Sequence, residues 1–316
     1  MKILPILLKR EFWEHRKTFF YLPLIILVLS VIFLIAAVFT LQIAGEGIII
    51  SGSIQINEGG PEQRTETNEY SNMPINALFG DQLTQFAALE PKQREAVLNT
   101  AYLLMATPLV SVLWVVVFMY FLTCLYDDRK DRSILFWKSM PVSDAMTVIS
   151  KLLTGLLLVP GIYLVVMMIL QLILLLTSLM AAVGSSIDIW ATLIAPAQIV
   201  TRWIQMTAFF LFVAIWCLPI FAWVLFVSSW ARSVPLAWVI GIPFVLVIIE
   251  WLALRGELLR EFIAQHAFPG GFFSRLSGGI GELYQQLLSL EVLLSLVLSA
   301  LLLYGAIYFR GKADEL

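Results

Sequence analysis

Charge is scarce in this chain: 13% of its 316 residues are Asp, Glu, Lys or Arg, about half the 25% usual in a soluble domain. So few charges cannot cover the water-facing surface of a globular chain this long. Cysteine and histidine are nearly absent, with two of each. Cys124 and Cys217 both lie inside apolar runs without a C-x-x-C spacing, so they read as packing residues rather than a disulfide or a metal site. His15 and His266 are far apart in sequence, with no motif around either. No nucleophile elbow, His-Glu-x-x-His or paired intramembrane aspartates occur. The stretch GGFFSRLSGG from Gly270 has the glycines of a phosphate loop but lacks its Gly-Lys-Ser/Thr ending. These gaps leave no catalytic or metal-ligating residue to nominate.

What the chain has instead is hydrocarbon. It is 60% hydrophobic, its mean hydropathy is +0.90, and it holds 21 Phe and 10 Trp. A helix needs roughly 20 apolar residues to cross a hydrocarbon layer of about 30 Å. Six segments qualify, near 19–44, 101–126, 148–183, 203–230, 235–254 and 287–309. An even number puts both termini on one side of the membrane. Lys and Arg concentrate on that side, at residues 2–17, in the 127–147 loop with Lys151 at the next helix start, at Arg232, and at Arg310 and Lys312. By the positive-inside rule both termini are cytoplasmic. No cleavable leader is expected, because the apolar run from Phe19 is too long and has no small-residue cleavage site.

Between the spans the chain changes character. Residues 1–18 put Leu4, Leu7, Leu8 and Phe12 on one helical stripe, with Lys9, Arg10, Glu14 and Arg16 off it, as in a helix lying along the cytoplasmic interface. Residues 45–100 form an acidic, polar outer loop. In residues 255–286, Leu258, Leu259, Phe262 and Ile263 suit one face of a short helix, and the glycines after it fit an outer segment that dips into the membrane. Pro160 and Pro219 should kink the third and fourth spans. Glu250 is the main ionisable residue inside a span. It lies near the outer end, where a structural or gating role fits better than a proton relay, with Arg202, Arg255 or Asp188 as expected partners.

The stretch LYDDRKDRSILFWKSMPVSD, from Leu125 to Asp144, breaks the hydrocarbon pattern most sharply. Asp127 to Arg132 read as a solvated charge cluster with Asp128 on its exposed rim. Ser133 to Lys138 follow as a short helix exposing Ile134, Leu135 and Trp137, which Pro141 ends. Ser143 is placed as an N-cap, with Asp144 in the positive first turn of the next helix. Leu135, Phe136 and Trp137 suit the centre of a protein interface, with a resting place at the membrane interface, where Trp is enriched, as the alternative.

On these residues the chain resembles the permease subunits of bacterial type-two ABC exporters. YDDRKDRSILFWKSMPVSDAMTVISKLL is similar to their loop between the second and third spans, and the resemblance in topology extends over the whole length. It implies an all-α polytopic membrane protein of six spans, with an N-terminal interfacial helix, a cytoplasmic coupling helix and an outer re-entrant region before the last span. It also implies a multi-pass location in the bacterial inner membrane. Ser133, Ile134, Leu135, Phe136, Trp137, Lys138, Met140 and Pro141 would then couple to a separate ABC ATPase that binds ATP and Mg. A second permease copy or close relative would complete the transporter, with membrane lipid around it and no nucleic acid partner. The chain itself is not expected to be an enzyme and needs no cofactor of its own. The aromatics Phe209, Phe210, Phe212, Trp216, Phe221 and Trp223 suit an amphipathic, lipid-like or peptide cargo. The alternative from another class is a non-transporting sensor or assembly scaffold whose acidic outer loop binds a partner.

Overall fold

The computed structural model describes residues 3–44, 86–132, 134, 142–182, 187–267, 284–285, 287 and 289–312. Every described element is helical, and among the described residues there is no strand. Six helical stretches are long and apolar enough to cross a membrane: Lys17–Ala36, Pro91–Lys130, Asp144–Met180, Trp190–Trp216, Pro235–Ala253 and Leu290–Gly311. This is the architecture of a multi-pass membrane protein. The acidic stretch 45–85 and the glycine-rich stretch 268–283 lie outside the described residues, as do Ser133 and residues 135–141 of the expected coupling helix.

The chain forms two compact units. The first comprises Met1–Leu24, Thr107–Met168 and Ile199–Leu316, and the second Ile25–Ala106 and Ile169–Gln198. In the second unit the Asp188 carboxylate accepts the backbone N–H groups of Trp190 and Ala191 at 3.0 and 3.2 Å, capping the helical turn that begins there. The Arg94 guanidinium donates to the Ala191 carbonyl at 2.9 Å.

The first unit begins with α1 (Ile3–Glu14), whose buried face carries Leu7 and Glu11, flanked by the half-buried Leu4, Leu8 and Phe12. The expected apolar stripe is therefore present, with an acid in its centre. Helix α2 is Leu22–Ala44, and α3 is the long helix Pro91–Lys130. Then α4 (Asp144–Leu153) passes through a π-helical turn, Thr154–Leu158, into α5 (Val159–Ala182). That turn supplies the wider register that lets Pro160, which has no N–H, continue in the same span.

The fourth span departs from the continuous 203–230 helix expected from hydropathy. It is broken into α6 (Ile199–Trp216) and α7 (Leu218–Trp230), with Cys217 at φ −88°, ψ 1° between them. Pro219 sits in the first turn of α7, where its missing N–H costs nothing. Helix α8 (Pro235–Ile249) carries Pro243 without a break, α9 is Leu258–Ala267, and α10 is Leu290–Gly311. On α10 the buried residues Val292, Ser295, Ser299, Ala306 and Arg310 recur at helical spacing along one face. Helices α7 and α10 pack closely enough that a β-carbon on Gly305 would lie 2.7 Å from the Phe226 ring.

Gly155 permits a still closer approach between α3 and the third span. A β-carbon there would lie 2.2 Å from Cζ of Phe121. Phe121 is fully buried and wedged between Tyr120 and Phe221, at ring-centroid distances of 5.6 and 5.1 Å, so its ring has nowhere to retreat. Gly161, one and a half turns on, has open space around it. Gly155→Ala should therefore lose about 1–3 kcal/mol to overpacking. Gly161→Ala should be neutral or gain up to about 1 kcal/mol from helix propensity. Thermal unfolding of the two variants in detergent checks this, and equal midpoints would contradict the close approach.

Candidate functional site

The most concentrated polar chemistry lies where α1, the C-terminal end of α3, the start of α4 and the end of α10 meet. Each element delivers its charge by helical spacing. On α3, Phe121, Cys124, Leu125 and Asp128 share the inward face. On α4, Thr147, Val148, Ser150 and Lys151 do so, and on α10 Arg310 follows Ala306 by one turn. The entry to α4 is set by Ser143, in extended conformation at φ −72°, ψ 150°, whose hydroxyl accepts the N–H of Met146 at 3.2 Å. That cap matches the one read from the sequence, and it puts Asp144 in the first turn.

The charges form one connected network. The Lys151 ammonium, 2% exposed, sits 3.1 Å from Oε1 of Glu11 and 3.4 Å from Oδ2 of Asp128. The same Asp128 oxygen accepts from Nη1 of Arg310 at 3.1 Å, while Nε of Arg310 donates to Oδ1 of Asp144 at 3.1 Å. The second Glu11 oxygen accepts the Tyr120 hydroxyl at 2.9 Å. Glu11, Asp128, Lys151 and Arg310 are buried, and Asp144 is partly exposed. Three carboxylates thus face two cations. Removing one member of such a buried set typically costs about 3–5 kcal/mol, because its partner is left charged and dry.

Aromatic contacts seat the N-terminal segment beside this network. The His15 ring lies 5.3 Å from Tyr120, edge to face, and 5.4 Å from Phe19. Burial holds its imidazole below the usual value, against the pull of Glu11 and Glu14 and with a smaller push from Lys151. The folded chain therefore favours the neutral ring, and this seating weakens as the pH falls below the ordinary imidazole value.

Three sequence expectations change here. Asp128 is a buried junction and not an exposed rim residue. Its neighbours Asp127, Lys130, Asp131 and Arg132 are exposed as expected, but helical phase carries Asp128 inward. Arg129 is half-buried and donates through Nη2 to the carbonyls of Ser228 and Ala231, both at 2.8 Å, closing the C-terminal end of α7. Ile134, expected among the exposed docking residues, is 5% exposed. It is the one described position of the expected coupling set Ser133 to Pro141.

The remaining candidates lie elsewhere. Glu250 starts the π-helical turn Glu250–Leu254, and its Oε2 accepts the backbone N–H of Leu259 at 3.0 Å. An open N–H at the start of α9, and not an arginine, is its partner. Arg255, at φ 49°, makes the turn between them. On α9, Leu259, Phe262 and Ile263 face inward to varying degrees and His266 is fully buried, while Leu258 is exposed. His266 stacks on Phe262 and Trp216 at 4.2 and 5.0 Å.

Of the aromatics read as cargo-lining, Phe209, Phe210 and Phe221 border an apolar cavity together with Pro160. Phe212 and Trp216 instead stack on each other at 5.5 Å, and the Trp223 indole donates to the Val239 carbonyl at 3.1 Å. Among the described residues no group of His, Cys, Asp and Glu has the arrangement to hold a metal ion.

The contrast between adjacent aspartates gives a direct test. Asp128→Asn should destabilise the chain by about 3–5 kcal/mol, and Asp127→Asn should stay within about 0.5 kcal/mol. Unfolding of both variants in mixed micelles distinguishes them, and similar small losses would mean that Asp128 is solvated after all.

No family model, curated protein or solved structure matches the chain.

Proposed function

We propose that the chain is the membrane-spanning subunit of an ATP-driven exporter, working with a separate ABC ATPase and a second copy of itself or a close relative. ATP and Mg belong to the partner ATPase in this reading, and both termini face the cytoplasm. The observation that carries it is the way the two ends of the 133–141 loop are tied down. Asp128 before the loop and Asp144 after it are both held by Arg310 of the last span. Lys151, two turns into the next helix, extends the tie to Glu11 of α1.

A loop anchored in this manner is suited to carry force. A push on residues 133–141 would reach the end of α3 and the start of α4 together. Arg310 would pass it to α10, and Lys151 to the N-terminal helix. The π-helical turn at Thr154–Leu158 gives the third span a place to bend, and the break at Cys217 gives the fourth span another. A sensor or scaffold would have no evident use for a loop of apolar and aromatic residues whose two anchors share one guanidinium.

The test is co-purification with a Walker-motif ATPase co-expressed with the chain, combined with export assays in vesicles. Phe136→Ala together with Trp137→Ala should leave the chain inserted and folded while weakening ATPase capture about thirtyfold, the equivalent of about 2 kcal/mol at an interface centre. A cysteine at Ser139 should react with an impermeant thiol reagent only after the membrane is opened. Normal capture and export by the double aromatic variant, or labelling of Ser139→Cys from outside, would overturn the reading.

A further inference from the structure

The apolar cavity of the first unit is not explained by packing alone. It lies between α3, the third span and the broken fourth span, bordered by Trp114, Gly155, Pro160, Phe209, Ala214 and Phe221, and is open along one side. Two backbone irregularities of these spans converge on it. Gly155 and Leu156 belong to the π-helical turn, and Val213, Ala214 and Phe221 flank the break at Cys217. Irregular turns inside helices cost regular hydrogen bonding and recur at functional sites.

The back wall is rigid. Trp114 stacks on Phe221 at 5.6 Å and 23°, and Phe221 lies 5.1 Å from Phe121, which is itself locked against Gly155. Among the described residues no charged side chain lines the cavity, and the Trp114 indole is the one side-chain hydrogen-bonding group there. An ordered water needs two to four polar partners, so the lining disfavours water. Val117 and Leu113 lie 11 and 15 residues before Asp128 on the same helix, or about 16–22 Å from the charge network at 1.5 Å per residue. Gly155 and Pro160 lie four and nine residues after Lys151, or about 6–14 Å from it, so the cavity runs from near one face of a hydrocarbon layer about 30 Å thick to past its middle. The molecules present at that depth are the chains of membrane amphiphiles.

We propose that this cavity binds one hydrocarbon chain of a bilayer amphiphile. As the place where cargo is held, it rests on the transport reading above; as a binding site it does not. The charged network near the end of the same helices leaves the headgroup a polar level to occupy.

The experiment needs neither ATPase nor nucleotide. The full chain is reconstituted in nanodiscs of dilauroyl phosphatidylcholine with a trace of phosphatidylcholine bearing a diazirine on a palmitoyl chain. After irradiation, labelled peptides are quantified. Residues 110–117 and 209–214 should be labelled about tenfold more than the segment around Val245, an exposed position on α8, the equivalent of about 1.4 kcal/mol of preference. Ala214→Phe, which fills the cavity, should remove that excess and leave Val245 labelling unchanged, with Val110→Phe as a second filling variant. On the wild-type chain alone, excess hexadecanol should compete at the cavity and not at Val245. Equal labelling at both places, excess labelling unaffected by a folded filling variant, or equal competition would overturn the proposal. Specific labelling in a chain that fails to bind any ATPase would keep the site and remove the transport reading.

Discussion

A lysine ammonium placed among helices, with almost no water, must find its counter-charges there or lose its proton. Lys151 finds them on two other elements, Glu11 of α1 and Asp128 of α3. The rest of this end of the bundle follows from that requirement. Asp128 can serve Lys151 only with its other demands met, and Arg310 meets them while reaching Asp144 with its second donor. Guanidinium geometry matters here, because a single ammonium could not offer Nη1 and Nε to two separate carboxylates in fixed directions. The Tyr120 hydroxyl satisfies the remaining Glu11 oxygen. A set of well-packed apolar residues could stabilise such a junction at least as well. What the ionic version adds is register: only one alignment of α1, α3, α4 and α10 pairs all five groups.

The spans themselves obey a different constraint. Within a membrane each lost backbone hydrogen bond is expensive, so a proline must come with a remedy. At Pro160 the remedy is a π-helical turn, and at Pro219 it is a fresh helix start after Cys217. Pro243 stays within a continuous helix. The two remedied sites border one cavity, while Pro243 and Pro108, which also stays within a continuous helix, do not, which separates sites where the backbone was opened from those where the proline was merely tolerated.

Helix content and the six spans were legible in the sequence because hydropathy over twenty residues outweighs every local effect. The Ser143 cap was legible because Ser before Asp and an apolar run has few other uses. The network was not, and its residues show why. Glu11 sits one turn after Leu7 on the apolar stripe, and Asp128 one turn after Cys124, so helical phase marked both as inward. Their charge, in runs such as DDRK, points to water, and composition there masks phase. The burial of Ile134 is hidden in the same way, by its place in a polar loop. The break at Cys217 escaped notice because proline at the start of a new helix and proline at a kink look alike in sequence. The partner of Glu250 is a backbone N–H, and no side-chain pattern could have named it.

Coupling energy across the α1–α4 pair tests whether the buried network is the joint of this structure. Glu11→Gln, Lys151→Met and the double variant can be unfolded in mixed micelles and compared in a thermodynamic cycle. The account expects each single variant to be strongly destabilised and the double variant to recover part of the loss, with a coupling energy of at least about 1 kcal/mol, inside the range of about 0.5–3 kcal/mol seen for groups in direct contact. Losses that simply add, to within about 0.3–0.5 kcal/mol, are what distant and independent sites give, and that result would contradict it.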